Sequence, residues 1–367
     1  MCIRDRVSSR LDQLVAHSLE LIEANQAATG AWVAGPSFPT YDYSWFRDGA
    51  FIADAMSRHG NVDSADAFHA WAAGIVAARR EQITRLVARG RAGETVAATD
   101  HLHTRYTIDG READGFWENF QLDGYGTWLW ALRQHQERHH GGDLVHAVEV
   151  AATVDYLAAF WHEPSYDWWE EHLDHRHTST LASIWAGMDA VGRWLAMPVE
   201  VREPAIRTAE RIRHLIDTEA VRDGSLTKWL GSDQVDASLV ACFTPFGLYP
   251  VDHPVTQATI ARIDAELAPA GVYRYLDDVY YGGGQWILLA AFLGWHHVRA
   301  GNPERAEELL AWVVDQADAN GDLPEQVAQD LLHPEHLERW EQRWGPSAKP
   351  LLWSHAMLLD LVDELGR

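Results

Sequence analysis

Apolar residues recur along the chain with a helical period. The segment "PERAEELLAWVVDQA", 303–317, places Ala306, Leu309, Leu310, Val313, Val314 and Ala317 on one side, the spacing of an amphipathic helix. Its ends agree, with Asn302 at the cap, Pro303 in the first turn and Gly321 beyond the stop. "EPAIRTAERIRHLID", 203–217, turns Ala205, Ala209, Ile212, Leu215 and Ile216 one way and its charges the other. The same reading predicts about twelve helices, near 8–26, 47–60, 63–86, 123–138, 144–162, 178–196, 203–218, 234–242, 252–266, 283–300, 303–318 and 351–365. No run shows the strict alternation of a half-buried strand.

Between successive helix pairs lie long loops, 29–46, 96–121, 164–177, 220–233, 267–282 and 319–345. Such loops are functional or disordered, and these carry too much Trp and Tyr for disorder. The pattern predicts an all-α fold: a closed barrel of paired helices with its loops gathered at one end. No linker or compositional shift divides the chain, so one domain over 7–367 is expected. "MCIRDR", 1–6, joins no pattern and is set apart as a non-native or disordered head.

Charge narrows the partners. Thirty Lys and Arg against 54 Asp and Glu give a net −24, which argues against a nucleic-acid or anionic-membrane surface and suits a neutral small molecule. The 18 tryptophans exceed what a core of this size needs, and each brings an N–H that wants a partner. A stacking surface for flat ligand faces, sugars included, is expected. Cys2 and Cys242 build no disulfide framework, and no stretch approaches the ~20 apolar residues of a membrane helix. The charged amino-terminal segment lacks the apolar core of a secretory signal, so a cytoplasmic protein is expected.

Candidate chemistry sits in the aromatic loops. "YDYSWFRDGAFIADAM", 41–56, crowds Tyr41, Tyr43, Trp45, Arg47 and Asp48 at the mouth of an apolar helix. Either Asp48 caps that helix and the aromatics are core, or something planar and polar is held there. Burial against tryptophan raises a carboxyl pKa and suits it to general-acid work. Glu170 and Glu171 follow Trp168 and Trp169 in "YDWWEEHLDHRHTST", 166–180, and Glu325 follows a helix stop in "ANGDLPEQV", 319–327; the bland alternative is that these are solvated loop acids. His172, His175 and His177 lie close by but lack the i, i+4 spacing of a shared zinc face. "YYGGGQW", 280–286, lacks the ending of a phosphate loop and the spacing of a dinucleotide fingerprint. Neither a metal nor a cofactor is expected.

Five blocks in order, "YDYSWFRD" (41–48), "WENFQLDGYG" (117–126), "DWWEE" (167–171), "YRYLDDVYYGGGQW" (273–286) and "LPEQV" (323–327), resemble glycoside hydrolase family 15, the glucoamylase-like inverting exo-α-glucosidases. The resemblance runs from about residue 29 to 365 and implies an (α/α)6 barrel. It also implies that Glu170 is the general acid and Glu325 the general base. Arg47 and Asp48 would grip the terminal glucose beside Trp45, and Tyr41 would stand near the attacking water. Glu171, Trp117, Trp169, Arg274 and Trp286 would line the first sugar subsites.

The activity implied is removal of glucose from the non-reducing end of short α-glucosides, isomaltose or maltose, with inversion to β-glucose. A trehalase of the same family and a non-catalytic carbohydrate-binding or regulatory relative are the alternatives. The chain departs from the fungal members, which carry Asn and Pro where it reads "GGGQW". It shows neither the amino-terminal β-sandwich of bacterial members nor a starch-binding module, which favours short soluble substrates. Linkage, chain length and oligomeric state stay open.

Overall fold

The computed structural model describes residues 3–367, and fourteen α-helices form among them. The first half supplies α1 (Ile3–Ala24), α2 (Phe46–Arg58), α3 (Val62–Ala78), α4 (Arg80–Arg91), α5 (Asp123–His139), α6 (Ala147–Phe160) and α7 (Thr178–Arg193). The second supplies α8 (Val199–Leu215), α9 (Val240–Phe243), α10 (Pro254–Leu267), α11 (Ile287–Arg299), α12 (Pro303–Asp315), α13 (Leu337–Trp344) and α14 (Leu352–Glu364).

These helices are of two kinds. α11 is buried without a break from Ile287 to His297, and α14 from Leu352 to Val362. By contrast α12 buries one stripe, Ala306, Leu309, Leu310, Val313 and Val314, and α8 buries Ala205, Thr208, Ala209 and Ile212. A helix apolar all round needs neighbours on every side, whereas a one-faced helix can border solvent. The first kind accordingly lies inside. α2, α5, α7, α9, α11 and α14 each pack on the next, and α14 returns to α2 to close a ring of six. Outside it, α1 packs on α14, α3 on α2, α6 on α5, α8 on α7 and α12 on α11, while α10 lies against the segment leading into α9. This is the (α/α)6 barrel that the resemblance implied.

Aromatic rings fill the lumen. Phe51 of α2 stacks on Trp353 of α14, with centroids 5.3 Å apart and planes 12° from parallel. Phe292, Trp168 and Phe246 close around Phe51 at 5.2, 5.8 and 6.0 Å. The barrel is therefore plugged below its loop end.

Several boundaries differ from the sequence expectation for physical reasons. The helix expected over 63–86 breaks at Arg79 into α3 and α4, where the Arg79 guanidinium donates to the Ile75 and Gly110 carbonyls, both at 3.2 Å; the apolar pattern runs on across the break and so hides it. The helix expected from 283 begins at Ile287, since Gln285 and Trp286 pair into a strand. Among the described residues seven strands form, each of two residues and so too short to show alternation. α13 folds inside the loop expected over 319–345. Asn302 does cap α12, accepting the Arg305 N–H at 3.4 Å. Of the head set apart at 1–6, residues 1 and 2 lie outside the described residues and 3–6 belong to α1. Among the described residues no helix is long and apolar enough to cross a membrane.

α5 and α7 touch through their backbones. A Cβ on Gly126 would stand 2.4 Å from the Ser183 carbonyl oxygen, and one on Gly187 would stand 2.3 Å from the Gly126 carbonyl oxygen. Gly126→Ala should therefore destabilise the fold by about 1–3 kcal/mol through overpacking, despite a helix-propensity gain. Gly74→Ala, at an exposed position of α3 with nothing within 4 Å, should stabilise it by about 0.5–1 kcal/mol. Urea denaturation of both variants checks the pair; a neutral Gly126→Ala would contradict the close crossing.

Candidate active site

Each of the six long loops feeds the N terminus of an inner helix, so the loops meet at one end of the ring. Five of them line a cavity of about 740 Å³, and the segment 220–233 contributes no residue to its lining. All eleven residues singled out from the sequence line this cavity. So do eight of the 18 tryptophans. Trp168 and Trp353 belong both to the lumen plug and to the cavity wall, so the cavity ends blindly.

Short strands pin the loops. β1 (Ser44–Trp45) pairs antiparallel with β2 (Arg105–Tyr106), placing Trp45 opposite Arg105. β3 (Val221–Arg222) and β4 (Ser225–Leu226) form a hairpin. β5 (Val272–Tyr273), β6 (Gln285–Trp286) and β7 (Gln326–Val327) form one three-stranded sheet in that order, with Trp286 between Val272 and Gln326. Arg274 follows β5 at one end of this sheet and Glu325 precedes β7 at the other, with Trp286 of β6 between them and its ring centre 5.2 Å from the Arg274 guanidinium.

Glu170 sits in a turn organised by Asp167. The Asp167 Oδ1 accepts the N–H groups of Trp169 and Glu171, both at 2.9 Å, the local side-chain bonding by which Asp shapes turns. Glu170 itself has φ of 65°, a left-handed conformation that non-glycine residues adopt at a cost and that recurs at functional sites. Its Oε1 accepts the Trp45 indole N–H at 2.7 Å and the Gln121 amide at 2.9 Å. The same Gln121 accepts from Arg47 at 2.9 Å, and Arg47 also donates to Asp123 at 2.9 Å.

Glu325 has different surroundings. It is 3 % exposed, and burial pushes its carboxyl up to about 7 against the pull of the Tyr41, Tyr280 and Ser347 hydroxyls and Arg274. Tyr41 donates to Glu325 Oε1 at 2.8 Å, and its oxygen lies 2.8 Å from the Tyr280 hydroxyl. For Glu171, burial would raise the carboxyl, but Arg274, the Tyr275 hydroxyl and Lys228 outweigh it and hold the group below its usual range. Trp169 donates its indole N–H to Asp236 at 3.0 Å.

Asp48 is not a helix cap: α2 begins at Phe46 with Trp45 at the cap position. Its carboxylate lies 3.6 Å from the Arg47 Nε, yet Oδ2 is buried and makes no hydrogen bond. Burial pushes this carboxyl up to about 7. A buried unsatisfied oxygen beside an arginine, facing a cavity, suits an incoming hydroxyl donor. Of the loop histidines, His175 stacks on Trp229 at 4.2 Å, and the His177 Nε2 lies 2.9 Å from the His172 carbonyl. His175 thus ties its loop to the segment 220–233, while His177 closes on its own loop.

The sequence reading missed several lining residues. Tyr280 lines the cavity, and Gln121, which does not, donates to Glu170; both fall within the ordered motifs, but an uncharged amide and one tyrosine among the four of 273–286 gave no chemical signal. Arg105 lies with its guanidinium 3.6 Å from the Trp117 ring centre and 4.3 Å from that of Tyr43, in a loop without a motif. Trp340 and Trp344 of α13 form the rim; their i, i+4 spacing in "HLERWEQRW" was the available clue.

A plugged helical barrel whose loops bring two carboxylates into one tryptophan-lined blind cavity defines a class of enzyme, the (α/α)6-barrel glycosidases. The family model "Glycosyl hydrolases family 15" matches residues 9–320, and the chain belongs to that family. An isomaltose glucohydrolase of Kribbella flavida is 49 % identical over 364 residues, covering 98 % of this chain and 94 % of the relative. A solved wild-type glycosidase superposes with a TM-score of 0.96 at 47 % identity, over 100 % of this chain and 99 % of that one; a variant glycosidase solved with glucose matches equally well. The glucoamylase of Saccharomycopsis fibuligera shares the fold, with a TM-score of 0.73 at 15 % identity over 97 % of this chain and 94 % of its own. Trehalases match more distantly, at 22–26 % identity.

Asp48 links site and stability. A carboxyl whose folded pKa exceeds its unfolded value holds extra protons when folded, so its contribution to stability falls as pH rises from about 4 to about 7. Asp48→Asn removes that penalty. Relative to wild type, the variant should gain about 1–3 kcal/mol between pH 5 and pH 8 while losing glucose affinity. Urea denaturation at both pH values and glucose titration check this; unchanged affinity would return Asp48 to a structural role.

Proposed function

We propose that the protein removes glucose from the non-reducing end of short α-glucosides, isomaltose foremost, with inversion to β-glucose. The observation that carries this reading is the pair Glu170 and Glu325, delivered from different loops to one blind cavity that admits a chain end and no through-running polymer. The isomaltose glucohydrolase relative supports the choice of substrate. Arg47 and Asp48 hold the hydroxyls of the terminal glucose, and Trp45, Trp117, Trp169 and Trp286 cover its faces, with Glu171 and Arg274 completing the wall.

The two carboxylates divide the work. Both donors to Glu170 reach Oε1, which leaves Oε2 to carry a proton to the glycosidic oxygen as that bond breaks. Glu325 removes a proton from a water that attacks the anomeric carbon from the opposite face, and Tyr41 orients its carboxylate. Inversion requires the carboxyls about 6.5–9.5 Å apart, with the water between sugar and base. A base whose pKa lies near the working pH is well matched to proton transfer. The catalytic unit is one domain. Its acidity makes nucleic acid and anionic membranes poor partners, and Cys242, buried with its thiol pushed up by burial, suits a reducing cytoplasm.

Purified protein given isomaltose, maltose, trehalose and soluble starch should show the highest kcat/KM on isomaltose; a lead for trehalose or starch would overturn the substrate assignment. Glu170→Gln and Glu325→Gln should each lower kcat by about 10²–10⁴-fold with circular dichroism unchanged, and near-normal turnover in either would refute its role. The acid limb of the kcat/KM profile should fall near pH 7. Tyr41→Phe removes a donor that favours the ionised form, so that limb should move to higher pH; a downward move would contradict the hydrogen bond.

A further inference from the structure

At the end of the barrel away from the cavity, three metal-ligating side chains converge. We propose that Asp66, His135 and His140 form a site for a divalent cation of the zinc class that ties α3 to the C-terminal end of α5.

Asp66 lies in the first turns of α3, His135 near the end of α5 and His140 just past it. His135 Nε2 is 3.0 Å from Asp66 Oδ1 and His140 Nε2 is 3.3 Å from Asp66 Oδ2. One ligand atom from each of the three residues lies within 4.8 Å of the others. Around a tetrahedral zinc with bonds of about 2.0–2.1 Å, neighbouring ligand atoms stand about 3.3 Å apart, so the present spacings need little adjustment. Two imidazoles and a carboxylate favour zinc-like ions over magnesium or calcium, which prefer all-oxygen shells.

The surroundings point the same way. His140 Nε2 is buried and has no hydrogen-bond partner among the described residues. Behind His135 lies His69, 1 % exposed, with neither ring nitrogen bonded and its ring centre 5.3 Å from that of His135. His135 Nδ1 is 2.8 Å from the Ser57 Oγ. Donation of its Nδ1–H to Ser57 turns the Nε2 lone pair toward Asp66, the tautomer that metal-binding histidines adopt with an outer hydrogen-bond acceptor. The Asp66 side chain is 43 % exposed and gives an ion a route in. Twelve residues of helix, about 18 Å, separate His135 from Asp123 beside the cavity, so the ion acts on the scaffold and not on the bond being cleaved.

Tag-free protein, stripped with a chelator and titrated with zinc chloride against a chromophoric competitor, should bind one equivalent with a Kd in the micromolar range or tighter, and its Tm should rise by a few degrees. His140→Ala and Asp66→Asn should each weaken binding at least tenfold and abolish the Tm rise while leaving kcat on a glucoside unchanged. His175→Ala, in the loop beside the cavity, should bind zinc like the wild type. Absence of stoichiometric binding in the wild type, or wild-type affinity in both His140→Ala and Asp66→Asn, would overturn the site.

Discussion

Six helices that close on one another must be apolar on nearly every side, and this demand governs the rest of the molecule. It leaves almost no polar position along the length of the inner staves, so polar groups collect at their ends. At the far end they pair among themselves: Asp54 accepts from Arg58 and Arg138, each at 3.0 Å, and Arg58 reaches toward Asp360 at 3.4 Å. At the near end Arg47, Asp48 and Asp123 sit in the first turns of α2 and α5, beside the loops. Chemistry is thereby confined to the loop end, and the aromatic plug beneath it turns an open ring into a cup.

Within that cup two carboxylates of the same residue type are made unlike by their neighbours. Glu170 stands on a turn shaped by Asp167 and is held by two N–H donors on one oxygen. Glu325 is sunk between β6 and the segment before α14, where burial outweighs the hydroxyls that favour its charge. Gln121 joins Arg47 to Glu170, taking a hydrogen bond from the first and giving one to the second. Tyr41 donates to Glu325, and its own hydroxyl lies within hydrogen-bond distance of that of Tyr280. Both carboxylates thus take their orientation from side chains that other loops supply, and loop order matters as much as the carboxylates.

The sequence made the architecture legible where periodicity was strong. The one-faced pattern of α8 and α12 marked outer helices, and every long aromatic loop was found, because Trp and Tyr in a structureless stretch are themselves a signal. The blocks holding Tyr41, Glu170, Arg274 and Glu325 were recognisable as ordered motifs, and the cavity gathers all of them. Less was visible where local pattern does not encode the outcome. The break at Arg79 interrupts no hydrophobic run, and two-residue strands have no period to detect. Arg105 enters the cavity only because β2 pairs with β1, a contact between loops some sixty residues apart. The cluster of Asp66, His135 and His140 is likewise a product of α3 meeting α5, with no spacing along the chain to announce it.

The stereochemistry of the first product tests the division of labour between Glu170 and Glu325. Proton NMR of isomaltose hydrolysis, recorded before mutarotation mixes the anomers, should show β-glucose appearing first and α-glucose growing in behind it. Initial release of α-glucose would mean that a carboxylate attacks the sugar directly, and the assignment of Glu325 as the base that activates water would fall.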